Sequence, residues 1–233
     1  MILKEINKKI FLIGLGVSGM SLALELQKNS CELHCWDDDK KKRNIAKLKK
    51  LTVTKIEKIN FKQLDYLVLS PGIMDKGEKS HLGAILARQN KIKIVSDIEF
   101  LTFLKTKKYL IGITGTNGKS TTTKFIEKTI SQNSESNTFA CGNIGKPFTE
   151  IKLKENKNEI LVVETSSFQL NRIDKLKFNI SILLNISPDH LDWHQNMKSY
   201  ISSKLKIFKN HTNKCFSVIC VDDSFCEQIA KDF

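Results

Sequence analysis

Arginine is scarce in this 233-residue chain: of its 38 basic side chains only Arg43, Arg88 and Arg172 are guanidinium groups. The net charge of +13 is therefore carried by lysine. It is spread over surface-like positions rather than massed in one stripe, so the expected partners do not include nucleic acid. The densest block, Lys40-Lys41-Lys42-Arg43 with Lys47, Lys49 and Lys50, has helical spacing and reads as a solvated face. The six cysteines at 31, 35, 141, 215, 220 and 226 lack any C-x-x-C pair or zinc spacing, which argues against a structural zinc and for thiols in a reducing compartment. No apolar run approaches a membrane span, so no membrane insertion is expected. The N-terminus imitates a secretory signal, with Lys4, Lys8 and Lys9 ahead of an apolar run from Ile10 to Val17. That run lacks a small-residue cleavage site and carries glycines in a motif spacing, so it reads as a strand entering a loop in a cytoplasmic protein. There is no internal repeat and no low-complexity linker.

What is present is 40% apolar content, enough for two cores, and an alternation of apolar runs with helical patterns that predicts an α/β protein with parallel sheets. Strands are expected near 10–15, 32–36, 65–70 and 92–95, then near 109–114, 138–141, 160–164, 179–186 and 215–221. The polar stretch Lys105-Thr106-Lys107-Lys108 marks a boundary between domains at 1–105 and 106–233. A helix predicted to open at Ser224 leaves the last βα unit unfinished, and more chain is expected after it.

The loop GITGTNGKST, Gly112 to Thr121, joins a β-branched run to a helical one and has the composition of a phosphate cradle. Gly115 and Gly118 permit close backbone approach, Lys119 supplies a cation and Ser120 a hydroxyl suited to Mg2+. The strict Walker A pattern fails because Ile113 stands where its first glycine belongs. An ordinary βα turn is the alternative, yet it leaves a lysine and the hydroxyls of Ser120, Thr121, Thr122 and Thr123 unexplained. Upstream, Gly14-Leu15-Gly16-Val17-Ser18-Gly19 with Asp37 one strand later has dinucleotide-fold spacing, which any nucleotide diphosphate can use. Ser70-Pro71-Gly72 would open at the same sheet edge. Glu164 ends a strand, either as a Mg2+ ligand or as a solvated charge. Asp189, His190, Asp192 and His194 crowd one loop and suggest a metal or phosphate contact. Lys204 lies in a helical pattern and reads as a surface lysine.

Together, TGTNGKST, CGNIGKPF, VVETSSFQL, NISPDHLDWH and SSKLKIF resemble the Mur ligase family over about residues 8–223. SSFQL, GLGVSG, LSPG and VSDIEF resemble its D-glutamate-adding members. The resemblance implies a Rossmann-like N-terminal domain that holds UDP-N-acetylmuramoyl-L-alanine rather than a nicotinamide cofactor. Its contacts would be Gly16, Val17, Ser18, Asp37, Asp38, Ser70, Pro71 and Gly72. It also implies a partial P-loop-type parallel-sheet ATPase domain. There Gly115, Thr116, Asn117, Gly118, Lys119, Ser120 and Thr121 would bind ATP, and Asn143 and Ser166 would face the substrate. Two Mg2+ sites would draw on Ser120, Glu164, His190 and Lys204, the last carrying a CO2-derived carbamate. Lys119, His190 and Lys204 would be catalytic. The implied reaction is ATP-dependent ligation of D-glutamate through an acyl phosphate, by a monomer. The family's further domain, which binds D-glutamate, has no counterpart in these residues. A UDP-sugar- and ATP-binding chain without ligation is the second expectation, and an NAD enzyme built on GLGVSG the third.

Overall fold

The computed structural model describes residues 2–154 and 158–232. They form two units, 1–105 and 106–233, each with its own parallel sheet. The apolar runs at the centre of each sheet become strands buried on both faces, as parallel sheets require.

In the first unit β1 (Lys9–Ile13), α1 (Val17–Gln27), β2 (Glu32–Trp36), α2 (Lys40–Leu48), β3 (Tyr66–Leu69), α3 (Leu82–Gln89) and β4 (Lys93–Val95) follow in order. The strand order is β2-β1-β3-β4. The chain leaves β1 toward one side and returns to the other, so the topological switch lies between β1 and β3, where ligands of open α/β sheets bind. Register decides what meets there. Ile13 pairs with Trp36 and with Leu69, so Gly14, Asp37 and Ser70 leave the sheet side by side. Phe11, Ile13, Leu67 and Leu69 pack on Ala84 and Ala87, whose small side chains let α3 approach the sheet closely. Phe61 closes this core edge-to-face on Phe11, with ring centroids 6.0 Å apart. The lysine-rich block forms α2 with only Ala46 buried, the solvated face its spacing predicts.

The second unit runs β5 (Tyr109–Thr114), α4 (Lys119–Asn133), β6 (Asn137–Gly142), β7 (Glu159–Glu164), α5 (Ser167–Leu170), β8 (Ile180–Leu183), α6 (Leu191–His194), α7 (Met197–Leu205), β9 (Phe216–Ile219) and α8 (Ser224–Asp232). Its strand order is β6-β7-β5-β8-β9. Ile113 pairs with Glu164 and Thr114 with Leu183, which brings the ends of β5, β7 and β8 to one edge. Ile111, Ile113 and Val162 form a core under Ile126 and Ile130 of α4. At the opposite edge Lys108, the last residue of the polar boundary stretch, is buried: its Nζ lies 2.8 Å from Glu159 and donates to the Lys154 carbonyl at 2.7 Å. Among the described residues no disulfide forms, and no helix is long and apolar enough to cross a membrane.

Candidate functional site

In the first unit the loop from Gly14 to Gly19 is shaped by its neighbours. Gly14 has φ +100°, and a Cβ there would collide with Ser70; a Cβ on Gly19 would collide with the Gly14 carbonyl. Ser70 Oγ donates to that same carbonyl at 2.8 Å, tying the two loops across the switch point. By contrast, a Cβ on Gly16 or Gly72 would meet nothing within 4 Å, so both backbones face open space, as close approach of a ligand requires. Val17, on the first turn of α1, is 75% exposed beside them. Asp37 is buried and already engaged, accepting from Leu15 N at 2.6 Å and Asp39 N at 2.8 Å. It anchors the loop. Asp38 stands outward, its carboxylate 3.0 Å from Trp36 Nε1 and 3.3 Å from His81 Nε2.

In the second unit the loop after β5 turns into α4 through Gly118, whose φ of +78° favours glycine. Lys119 folds back on its own loop, donating to the carbonyls of Gly115 at 3.0 Å and Thr116 at 2.7 Å. Ser120 Oγ donates to Glu164 Oε2 at 2.7 Å, while Asn143 Nδ2 donates to Glu164 Oε1 at 3.1 Å. Glu164 is 2% exposed, so the alternative of a solvated strand-end charge is overturned. Both partners are neutral oxygen- or amide-bearing groups, which leaves the buried carboxylate's charge available to a cation. Of the four successive hydroxyls only that of Ser120 reaches Glu164. Thr121 is exposed, and Thr123 Oγ1 is buried without a partner.

Lys204 contradicts its reading as a surface lysine. It is 2% exposed, its Nζ donates to Gly115 O at 2.7 Å and lies 4.6 Å from the centroid of the Tyr200 ring. Burial, reinforced by the charge of Lys119, pulls its pKa down to about 7. Two ammonium groups converging on one carbonyl repel each other, and that arrangement favours an anion between them.

His190 sits at the start of α6 with φ +51°, its Nε2 3.4 Å from Asp189 and its ring 4.9 Å from Phe168. His194 does not join it as a ligand. It is buried, stacked on Phe168, and its ring nitrogens face Ser167 Oγ at 2.9 Å and Ser203 Oγ at 3.4 Å. Asp192 is exposed on the first turn of α6. Among the described residues no group of three or more His, Cys, Asp or Glu side chains is placed to hold a metal. Ser166 caps α5, exchanging hydrogen bonds with Gln169 at 3.1–3.2 Å, just beyond Glu164.

Two residues with no role in the motif reading hold the loop. Asn185 Oδ1 accepts from Thr116 N at 3.1 Å and Asn117 N at 2.8 Å, and its Nδ2 donates to Asn117 O at 3.1 Å. Tyr200 OH bonds Thr116 Oγ1 at 3.0 Å, linking the loop to the helix that carries Lys204. The sequence signal is that Asn185 opens the run NISPDH two residues after the end of β8.

The model of the Mur ligase middle domain matches residues 113–233, and that of the Mur ligase MurD-like N-terminal domain matches residues 8–96. UDP-N-acetylmuramoylalanine-D-glutamate ligase of Rickettsia prowazekii (strain Madrid E) is 39% identical over 226 residues, 96% of this chain and 48% of that protein. The protein of the same name from Caldicellulosiruptor saccharolyticus is 34% identical over 232 residues, covering 96% and 50%. The chain thus spans about half the length of the curated relatives it matches. Among solved structures, UDP-N-acetylmuramate:L-alanyl-gamma-D-glutamyl-meso-diaminopimelate ligase from Neisseria meningitides superposes with a TM-score of 0.63 at 14% identity, covering 98% of this chain and 76% of that one, a likeness of fold. With a middle-domain match that takes in the phosphate loop, Glu164 and Lys204, the chain belongs to the Mur ligase family.

Proposed function

We propose that this chain supplies the nucleotide-sugar and ATP sites of a cytoplasmic ligase that joins D-glutamate to UDP-N-acetylmuramoyl-L-alanine in peptidoglycan synthesis. The observation that carries this reading is the buried Glu164 carboxylate held 2.7 Å from Ser120 Oγ at the foot of a Gly-Lys phosphate loop. A carboxylate is a poor acylating agent, and phosphorylation gives it a leaving group. The L-alanyl carboxylate oxygen would attack the γ-phosphorus of ATP, the bond to the β-bridging oxygen would break, and ADP would leave. The D-glutamate amine would then attack the acyl phosphate, and collapse of the tetrahedral intermediate would form the amide and release phosphate.

Lys119 would leave its two loop carbonyls to follow the phosphoryl oxygens, stabilising charge as it is transferred. The loop N-H groups, held by Asn185, would cradle the phosphates at the start of α4. Ser120 and Glu164 are the hard oxygen donors Mg2+ takes, and a site of so few protein ligands suits an ion that shares its shell with phosphates and water. When bound, that ion would polarise phosphoryl oxygens and neutralise charge. His190 and a carbamate on Lys204 would serve a second such ion. Forming that carbamate joins the amine nitrogen to CO2 with loss of a proton, which converts a buried donor into an anionic acceptor. The first unit would bind the UDP moiety along Gly16–Ser18, Asp38 and Ser70–Gly72, with Asp37 shaping the loop; Asn143 and Ser166 would face the reacting end.

Phosphate release from ATP, Mg2+, UDP-N-acetylmuramoyl-L-alanine and D-glutamate, each omitted in turn, tests the proposal. Release that needs every component supports ligation. Binding of the UDP substrate and ATP with no release supports a second reading, in which these residues bind without ligating. Failure to bind either nucleotide would sink both.

A further inference from the structure

The segment that grips the phosphate loop is itself anchored. Residues 185–187 hold Thr116 through both backbone and side chain: Thr116 N donates to Asn185 O at 2.9 Å, and Thr116 Oγ1 accepts from Ser187 N at 3.0 Å. With the two bonds from Asn185 Oδ1, this strap fixes the first half of the loop. The N-H groups of the first turn of α4 are then the ones left for an anion. Ile186, in the middle of the strap, is 2% exposed, and a buried N-H needs a partner. That partner is Asp223, 37 residues away, whose Oδ2 accepts from Ile186 N at 3.0 Å. Register brings the two together. Leu183, the last residue of β8, pairs with Ile219, the last of β9, so the segments that follow leave the sheet side by side.

Asp223 also stands immediately before α8, where its Oδ1 accepts from Cys226 N at 2.9 Å. One carboxylate thus caps a helix with one oxygen and holds the strap with the other. Burial works against its charged form, yet the N-H groups of Cys226 and Ile186 outweigh this and keep its carboxyl below the usual carboxylate range. Capping alone does not call for a carboxylate, because serine and asparagine cap a helix as well as aspartate does. A carboxylate is called for where two separate backbone donors must each meet an acceptor. Resting on the assignment of the loop to the ATP phosphates, we infer that Asp223 is a positioning residue: through Ile186 and Asn185 it sets the phosphate loop in the geometry that receives a triphosphate.

The test measures the affinity of the full chain for Mg2+-ATP and for Mg2+-tripolyphosphate by calorimetry, well below each variant's unfolding temperature. Asp223→Ser keeps a side chain that caps α8 but is too short to reach Ile186. It is expected to bind both probes about tenfold more weakly, since small displacements of a positioning element are costly at the site. Asp223→Asn keeps the cap and turns an amide donor toward the Ile186 N-H. Its expected loss is about threefold or more, and it carries the test if Asp223→Ser is poorly folded. The path through Asn185 is read from a double-mutant cycle: in an Asn185→Ala background, Asp223→Ser should cost less than about twofold further. A role confined to the stability of α8 would lower the unfolding midpoint and leave the affinity of the folded chain unchanged. Wild-type affinity in both Asp223 variants, or an undiminished tenfold loss in the Asn185→Ala background, overturns this inference alone. A wild-type chain that binds neither probe overturns the assignment of the loop to ATP with it.

Discussion

At Lys204 a charge and its burial oppose each other. The amine is enclosed, lies near Lys119 and has its pKa lowered from 10.5 to about 7. Between those two values the unfolded chain binds a proton that the folded chain does not, so stability rises with pH across that window, and below pH 7 the full cost of a buried cation is present. In the absence of ATP, Mg2+ and CO2, Lys204→Met is therefore expected to stabilise the protein most below about pH 7 and progressively less toward pH 10.5. The margin at the acid end is on the order of a few kcal/mol, since each pKa unit is worth about 1.4 kcal/mol. Urea unfolding across that range measures it, and a pH-independent difference would refute the assignment. Gly115 O keeps the Lys119 donor in the variant, so no orphaned acceptor confounds the result. Nothing in local spacing distinguishes Lys204 from the lysines around it on a helical pattern. Its burial depends on Tyr200 and Gly115, the latter 89 residues away in sequence.

The elements were far more legible than the residues. Strand positions, the helix after the phosphate loop and the solvated face of α2 follow from apolar periodicity and glycine placement, which are local properties. Strand β8 shows the limit: the apolar run from Asn179 to Ile186 is all strand-like, but pairing with β5 and β9 ends at Leu183, and the remainder turns into the loop that carries Asn185. Within β5, Gly112 pairs with Val163 and Ser181 at the centre of the sheet, and a Cβ there would lie 2.7 Å from the buried ring of Phe178. Gly112→Ala is expected to cost about 1–3 kcal/mol through overpacking. The two tryptophans allow this to be read in one unit at a time, because Trp36 lies in the first and Trp193 in the second. In a Trp36→Phe background, the urea midpoint reported by Trp193 fluorescence should fall. An unmoved midpoint would mean that Phe178 gives way without cost.

At the scale of the whole chain, the two units carry separate cores and separate candidate sites, so damage to one site should spare the other. On the proposed reading, Lys119→Ala is expected to reduce phosphate release from ATP by about 100-fold or more, because it would remove a mobile cation from the transferring group. Affinity for UDP-N-acetylmuramoyl-L-alanine should stay within about threefold of wild type, a change below ~1 kcal/mol. Equal loss of both in calorimetry would contradict the division of labour. What the sequence determined by itself was the α/β class, the order of elements, the glycine-lysine loop between β5 and α4 and, through its motifs, the family, because each rests on residues close together in the chain. Tertiary structure alone decided that Asp37 shapes a loop while Asp38 faces outward, that Asn185 and Tyr200 hold the phosphate loop, and that Lys204 is buried. Those roles come from strand order and register, which align the ends of β1, β2 and β3, and of β5, β7 and β8, at shared edges. No local pattern encodes which side chains will meet there.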